Sequence, residues 1–386
     1  RRATVTRNSN LAISFSDEQA MILDSAKEFC RDKSDISAVR SLLGSETGFD
    51  AEVWEQMVAL GWTGIAVPES FGGSELGLGS IVPLVESMGR HLLATPFIST
   101  SIAAQAILRG GSAEQQAKWL PAIVNGSIGS MALLDNEDWG ATISTCTLDV
   151  VASGSGELRL SGAKQLVADA GQADFFIVSA RFDQRPVLVI VEANQLPDGA
   201  ISKKILIDET KRAAKVDFTG VTISSAAIML NPLALNDIKL IGALLTAAEA
   251  TGTCAATLDC IVAYLTSRVQ FGRLIGAYQS LKHPTVEILT QMDSARSFIY
   301  HAATLIDQCS IESLINSDTE VACRMAKTQA TEALLFAGDR AIQFHGGMGF
   351  TYECDAQLYL RRAQWVQHQY GDAQHHRLHL ARLLLD

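Results

Sequence analysis

Two short clusters in the C-terminal third carry residue types that could bind a phosphorylated, flat ligand. The first reads RVQFGR over residues 268–273 and continues to His283, and the second reads QFHGGMGF over residues 343–350. A guanidinium, an amide and an aromatic ring at a helix end suit a phosphate beside a flat ring. Bare glycine amides in the second cluster can approach a phosphate closely. A helix C-cap with a surface arginine and a tight turn explain the two patterns equally well.

Sequence motifs for other chemistries are missing from the chain. No GxGxxG follows a predicted strand, and there is neither a P-loop nor a GxSxG nucleophile elbow. His375 and His379 are four residues apart and could share a helix face, with His376 beside them. No acid lies between them as it does in the zinc motif HExxH, so a solvated helix end explains these histidines better. We therefore predict no metal site.

Composition limits the class of protein. The 386 residues are 48% apolar, and 42 acids exceed 31 bases, which gives a formal net charge of −11. This apolar content supports a large buried core, whereas a nucleic-acid binder would show a basic excess. The seven cysteines are scattered without a CxxC pair, which is typical of reduced thiols in a cytoplasmic protein.

Two segments bear on membrane targeting. The first ten residues, RRATVTRNSN, lack the apolar core of a secretory signal. The apolar run over residues 240–258 carries Glu249 at its middle, and a membrane span would bury that carboxylate at a high cost. We therefore predict a buried helix of a helical bundle and no membrane span.

The elements that must position the two clusters divide the chain into three zones. Helical periodicity dominates residues 1–128, which we take as an all-α domain. Residues 129–230 show period-two alternation and short apolar runs, which predict an antiparallel β-sandwich or barrel. Residues 231–386 are helical again and indicate a long four-helix bundle. We expect an α+β protein, mostly α, in the order helical, β, helical.

Long helices are predicted in the third zone. One runs from residue 235 to about 268, and a second starts at Pro284 and continues to residue 309. The remaining helices are predicted over residues 319–341, 353–370 and 374–384.

Three stretches give the chain a family resemblance. They are residues 67–73 (VPESFGG), 264–283, and 343–350 followed by 358–363 (LYLRRA). In these stretches the chain resembles an acyl-CoA dehydrogenase, a flavoprotein that introduces a 2,3-double bond into acyl-CoA thioesters. The resemblance covers nearly the whole chain, and the helical, β, helical order is also the family's.

The resemblance implies FAD as the cofactor, lying across a subunit interface. Arg268 would face the diphosphate of a neighbouring subunit's FAD, and Phe271 would pack on that cofactor. We use the name trans surface for all the residues that the resemblance assigns to this role: Arg268, Gln270, Phe271, Ile275, Tyr278, Leu281, Gln343, Gly346 and Gly347.

The family's reaction needs a carboxylate that removes the α-proton while the β-hydrogen leaves as hydride to the flavin. Alignment through LYLRRA places Tyr370 at the usual glutamate position. The other base position of the family falls near Gly242, beside Ala243. Neither position offers a carboxylate. Tyr370 is a poor base because a phenol with a pKa of about 10 is roughly 0.1% ionised at pH 7.

Two acids lie near these base positions. Asp372 is close to Tyr370 and could be a displaced base if the loop is rearranged. Glu249 lies about two helical turns beyond Gly242, where we expect it to satisfy a polar contact inside the bundle.

The middle zone departs from the family at the flavin site. Where the family has TExxxGS, this chain reads LDNEDWG over residues 134–140. The family's Lys-x-aromatic-x-Thr stretch appears as KQLVA over residues 164–168, so the ring becomes Leu166 and the hydroxyl becomes Ala168. Residues that would serve this subunit's own flavin are lost, whereas the trans surface is intact.

These departures favour a non-catalytic subunit of a heteromeric, α2β2 acyl-CoA dehydrogenase whose homologous partner carries the base. Such heteromers occur in bacterial breakdown of steroid side chains and dicarboxylic acids, which suggests a bulky or unusual acyl group. A self-sufficient homo-oligomer with a displaced base is the alternative. A flavin-free structural or interaction protein on the same fold is the third interpretation. The resemblance also implies an electron-transferring flavoprotein as electron acceptor.

Overall fold

The computed structural model describes residues 17–139, 146–150, 156–229, 231 and 234–385. The first ten residues and Gly140 of the LDNEDWG stretch lie outside the described residues. The chain folds in the predicted order: N-terminal helices, a middle sheet domain and C-terminal helices.

The N-terminal helices pack around one apolar core that continues into the C-terminal helices. They are α1 (Asp17–Lys33), α2 (Ile36–Leu42), α3 (Ala51–Ala59), α4 (Ile81–Arg90), α5 (Phe97–Gly110) and α6 (Ala113–Val124). Helix α6 begins at a capping box in which Ser112 and Gln115 satisfy each other's backbone N–H groups.

The middle domain has its own apolar core between two sheets. Its strands are β1 (Gly129–Ala132), β2 (Thr147–Val150), β3 (Glu157–Ser161), β4 (Ala163–Ala168), β5 (Phe175–Phe182), β6 (Arg185–Glu192), β7 (Ile201–Lys203), β8 (Ala213–Asp217) and β9 (Thr222–Ser224). Strands β4, β8 and β7 form the three-stranded sheet, and the others form the larger one. The larger sheet is mixed rather than purely antiparallel, because β1 and β2 both run parallel to β5.

The C-terminal domain is the expected bundle, with three long and two shorter helices. They are α7 (Ala234–Leu265), α8 (Gln279–Asp307), α9 (Ser317–His345), α10 (Ala356–His368) and α11 (Ala373–Leu385). The prediction that the second long helix starts at Pro284 was wrong. Helix α8 already begins at Gln279, because the Tyr278 carbonyl accepts the N–H groups of Leu281 and Lys282 before the proline is reached.

Helix α7 is the central helix of the core. It is long and apolar enough to cross a membrane, but its most apolar stretch is completely buried inside the protein. The prediction of a buried bundle helix is therefore confirmed. All seven cysteines are free thiols.

Candidate functional site

The first ligand cluster forms an exposed hairpin directly after α7. Strands β10 (Val269–Gln270) and β11 (Arg273–Leu274) pair around a two-residue turn of Phe271 and Gly272. Both turn residues have positive φ, 54° and 79°, as a two-residue type I′ hairpin requires. Phe271 is 90% exposed, and Arg268 is exposed beside it. The hairpin thus presents an aromatic ring and a cation to whatever lies opposite.

The second cluster lies beside the first because α7 and α9 end on the same side of the bundle. The ring of Tyr264, near the end of α7, stacks on His345, the last residue of α9, with centroids 4.1 Å apart. Gly346 and Gly347 follow, are exposed, and have open space where a Cβ would point. A ligand can therefore approach this backbone without an intervening side chain, but the Gly346 N–H already donates to the Gln343 carbonyl.

The predicted trans-surface residues lie in two segments: the hairpin with the turn and helix start that follow it, and the end of α9. Gln343 is exposed, and the half-buried Tyr278 lies under the Arg273 guanidinium at 4.1 Å. Ile275 is buried in the helical core, so its side chain does not reach this surface. The prediction for Ile275 was wrong because its N–H donates to the Arg268 carbonyl (2.9 Å), which folds this turn back onto α7.

The loop between α10 and α11 places Tyr370 against α7. Tyr370 has a φ of 57°, and a Cβ added at Gly242 would lie 2.3 Å from its Cε1 atom. The two positions at which the resemblance predicts a base therefore face each other, and the tyrosine ring lies directly against Gly242. Burial, together with the Asp169 carboxylate, raises the pKa of the Tyr370 phenol far above its usual value. Tyr370 is thus protonated at neutral pH.

Tyr370 and Trp139 fill most of the space at this position. Their ring centroids lie 4.3 Å apart. The cavity that remains, here called the remnant cavity, has a volume of about 70 Å³ and is lined by Leu166 and Ala168 among others. Pockets for small molecules usually measure ~300–1,000 Å³. Neither a flavin ring nor an acyl thioester fits the remnant cavity.

The two acids near the base positions are engaged elsewhere. Asp372 accepts the backbone N–H of His375 (2.8 Å) at the start of α11 and is not among the residues that line the remnant cavity. Glu249 does line it, but its Oε1 accepts from Lys211 (2.5 Å) and Arg362 (2.8 Å). Glu249 therefore makes the polar contact inside the bundle that the sequence predicts.

Arg362 is the centre of a buried ion-pair network between domains. Its guanidinium is fully buried and donates to Asp208 (2.5 Å), Glu249 (2.8 Å) and the Thr210 hydroxyl (2.5 Å). Asp208 and Thr210 belong to the loop between β7 and β8, whereas Glu249 belongs to α7. In the same loop, Arg212 donates to three backbone carbonyls at the end of α2. The loop thus connects all three domains.

Asp169 is a carboxylate of the remnant cavity that the sequence analysis missed. It accepts the Ser99 hydroxyl at 2.6 Å and has a φ of 55°. Burial raises the pKa of Asp169 to about 6, although the Ser99 hydrogen bond opposes this shift. Its position in the sequence could have identified it, because Asp169 follows directly after the KQLVA stretch.

Lys164 joins the two middle-domain stretches that depart from the family. Its ammonium is fully buried and donates to Asp135 (2.6 Å) of LDNEDWG, to the Ser179 hydroxyl (2.8 Å) and to the Leu133 carbonyl (3.3 Å). The KQLVA and LDNEDWG stretches therefore lie against each other, on one side of the remnant cavity.

The C-terminal histidines are not the solvated helix end that the sequence suggested. His376 is 1% exposed, and its Nδ1 atom accepts from Arg324 at 3.2 Å because α11 packs on α9. Burial lowers the pKa of His376 to about 2, so the ring is neutral. Within the described ranges, no group of three His, Cys, Asp or Glu side chains could hold a metal ion.

A wider cleft of about 1430 Å³ lies between the N-terminal helices and the bundle, away from the remnant cavity. Its charged walls are paired, with Arg90 on Asp259 and Arg296 on Glu86. The cleft meets the trans surface only at its edge, where Tyr264 and His345 line it.

Two family models match the chain. The model "Acyl-CoA dehydrogenase, N-terminal domain" matches residues 16–127, and "Acyl-CoA dehydrogenase, C-terminal domain" matches residues 240–385. Together they cover more than half of the sequence. The N-terminal and C-terminal helical domains are thus each matched by a model of the same family.

Individual relatives agree with the family models. Acyl-CoA dehydrogenase IpdE2 of Mycolicibacterium smegmatis is 27% identical over 349 residues, which are 90% of this chain and 93% of that protein. Acryloyl-CoA reductase (NADH) of Anaerotignum propionicum is 27% identical over 97% of this chain and 96% of its own length. The solved Tcur3481-Tcur3483 steroid ACAD superposes with a TM-score of 0.84 at 26% identity, covering 95% of this chain and 97% of that one.

Proposed function

The chain belongs to the acyl-CoA dehydrogenase family, and from this premise we propose that it is the non-catalytic subunit of a heteromeric member. A homologous partner subunit would carry the flavin and the base that together form the 2,3-double bond of an acyl-CoA thioester. One contrast carries this proposal: Tyr370 and Trp139 leave only the small remnant cavity, whereas Arg268, Phe271 and Gly347 of the trans surface are exposed.

The trans surface has the chemistry that the outer half of FAD needs. FAD is the cofactor of this family, and when bound it accepts the hydride. Arg268 would neutralise charge on the diphosphate of the partner's FAD, because a guanidinium makes strong charge-assisted hydrogen bonds to phosphate oxygens. The same cofactor can approach the exposed backbone of Gly346 and Gly347, and the exposed Phe271 ring can pack on it.

This chain's own flavin position does not fit the cofactor. The remnant cavity is several times smaller than a ligand pocket, and its proton acceptors are either ion-paired, as Glu249 is, or placed on the middle-domain side, as Asp169 is. No catalytic step is therefore assigned to the residues of this cavity.

The partner and substrate classes follow from the same proposal. Likeness to a structure whose name pairs Tcur3481 with Tcur3483 supports a heteromer, in an α2β2 arrangement. That protein is described as a steroid ACAD, which supports a bulky acyl group for this chain. An electron-transferring flavoprotein would reoxidise the partner's flavin, and the complex would work in the cytoplasm.

Colour and turnover of purified protein test the proposal. We expect the chain alone to be colourless and inactive, and its complex with the homologous product of a neighbouring gene to be yellow and active with acyl-CoA and a dye acceptor. A yellow chain that turns over alone would contradict it. A chain that retains no FAD alone or with any homologue would instead be a flavin-free structural protein on this fold.

Variants of the complex distinguish the role of the trans surface from that of the remnant cavity. Arg268→Ala should release most of the FAD, because the diphosphate loses its cationic partner, while Tyr370→Phe should leave turnover unchanged. Arg273→Ala is the matched control, since its guanidinium lies on the Tyr278 ring, and it should retain most of the flavin. A complex inactivated by Tyr370→Phe would overturn the assignment.

Asp169 supports a second candidate function, a self-sufficient homo-oligomer with a displaced base. Its carboxyl lines the remnant cavity and has a pKa of about 6, which suits a general base near neutral pH. In that case the chain alone would bind FAD, and Asp169→Asn would abolish its turnover. The small cavity volume favours the non-catalytic subunit instead.

A further inference from the structure

Polar side chains from four separate segments converge on the remnant cavity. Thr95 precedes α5, Asp169 follows β4, Lys211 lies between β7 and β8, and Tyr370 lies between α10 and α11. The cavity therefore lies where the N-terminal, middle and C-terminal domains meet. Its mixed lining of hydroxyl, carboxylate and ammonium groups differs from that of a dry apolar void, which needs no ligand.

Thr95 has an unsatisfied hydroxyl in this cavity. The residue is 9% exposed, and its Oγ1 atom has no hydrogen-bond partner in the described part of the chain. Buried hydroxyls are nearly always hydrogen-bonded, to protein or to ordered water. The hydroxyl of Thr95 thus indicates a polar ligand in the cavity.

Two charged groups of the same cavity have unused hydrogen-bonding capacity. Asp169 accepts the Ser99 hydroxyl at Oδ2, which leaves Oδ1 as an acceptor. Lys211 donates to Glu249, and an ammonium has three N–H groups. A ligand here can donate to a carboxylate and accept from an ammonium and a hydroxyl, as water does.

We propose that the remnant cavity binds ordered water that bridges Thr95, Asp169 and Lys211. Its volume of about 70 Å³ exceeds the ~10–15 Å³ that one buried water needs, and the site offers the two to four polar partners that such a water requires. The proposal does not depend on whether the chain works in a heteromer. It means that the space of the family's reacting atoms is hydrated here rather than collapsed.

A pair of threonine variants tests the proposal through the sign of the stability change. In the full chain, or in the complex if only that is stable, Thr95→Val should lower the urea midpoint because a bridging water loses a partner. Thr100→Val is the matched control: its hydroxyl is also buried and unpartnered on α5, but it does not line the cavity. That variant should leave the midpoint unchanged or raise it. If Thr95→Val raises the midpoint as Thr100→Val does, the cavity is dry and the proposal fails.

Crystallography gives a second readout that does not depend on stability. Electron density within hydrogen-bond distance of Thr95 Oγ1 and Asp169 Oδ1 would support bound water. A crystal pressurised with xenon should show no xenon peak in the remnant cavity, because water occupies it. A xenon peak there would overturn the proposal.

Discussion

Asp169 is a half-buried acid of the middle domain, and Asp307 is an exposed acid of the C-terminal domain. Partial desolvation raises the pKa of each carboxyl to about 6. Asp307 accepts the N–H of Gly79 (2.8 Å) and so attaches the glycine-rich loop before α4 to the end of α8. The charge of both groups therefore changes in the pH range between 4 and 7, where most acids of the chain are already ionised.

Asp169 should make the folded state less stable as the pH rises towards neutrality. Its folded pKa is raised above the unfolded value of about 3.9, so its favourable contribution is complete below pH 4 and is lost as the pH rises through 6. Relative to Asp169→Asn, the wild-type free energy of unfolding should fall by about 2–3 kcal/mol between pH 4 and 7. Urea unfolding of both proteins at several pH values measures this difference.

The exposed Asp198 is the matched control for this titration. Asp198→Asn reports the effect of removing an exposed carboxyl. If Asp169→Asn behaved like Asp198→Asn across the pH series, Asp169 would not be the titrating group.

Individual site residues were predictable only where a motif fixed their position. The LYLRRA stretch predicts Tyr370 at the family's glutamate position, and the structure adds that this ring lies against Gly242. Asp169 and Trp139 carried no such pattern, and their proximity to Tyr370 arises from packing between domains. A sequence without an alignment cannot show contacts of that kind.

Helices α4 and α7 cross unusually closely because each has a glycine at the crossing. A Cβ added at Gly252 would lie 1.8 Å from the Glu86 carbonyl oxygen, and one added at Gly89 would lie 2.1 Å from the Glu249 carbonyl oxygen. Backbone atoms cannot move aside as a flexible side chain can. The crossing therefore fixes the position of Glu249 in the remnant cavity as well as the packing of the two helices.

Gly252→Ala should destabilise the fold by about 3 kcal/mol, because the added methyl group forces the two helices apart. The free energy of unfolding from urea titration measures this loss. Gly44→Ala is the control, since no atom lies within 4 Å of its added Cβ, and it should change stability by less than about 0.5 kcal/mol. Equal effects at both glycines would mean that the crossing tolerates a side chain.

Regular elements were predicted best where the periodicity was long. The helices of the C-terminal domain were recognised because many residues share one pattern, whereas α5 shows no clear stripe because its faces are nearly all buried. The parallel pairing of β1 and β2 with β5 was also missed. Alternation within a strand shows which face is buried but not which strand lies beside it.

Across the whole molecule, the ion-pair network around Arg362 connects the three domains beside the remnant cavity. Arg362 and Lys211 supply two positive charges, and Asp208 and Glu249 supply two negative ones, so the buried network is neutral. Burial opposes the charged form of each group, but the carboxylates of Asp208 and Glu249 raise the pKa of Arg362 above its usual value. In turn, the Arg362 guanidinium helps to keep the pKa of Asp208 below its usual value. Such a network favours one relative arrangement of the domains over others.

Removing one member of this network should cost more than removing a matched pair. Arg362→Met leaves Asp208 and Glu249 without their main partner and should destabilise the fold by about 3–5 kcal/mol. Adding Glu249→Leu leaves Lys211 to balance Asp208, so the double variant should be more stable than the sum of the single losses by about 1–3 kcal/mol. Urea unfolding of all four proteins measures this coupling.

The exposed pair Arg377–Glu332 (2.6 Å) is the control, with an expected coupling below about 1 kcal/mol. Additive losses at Arg362 and Glu249 would show that the two residues act separately and that the network does not hold the domains together.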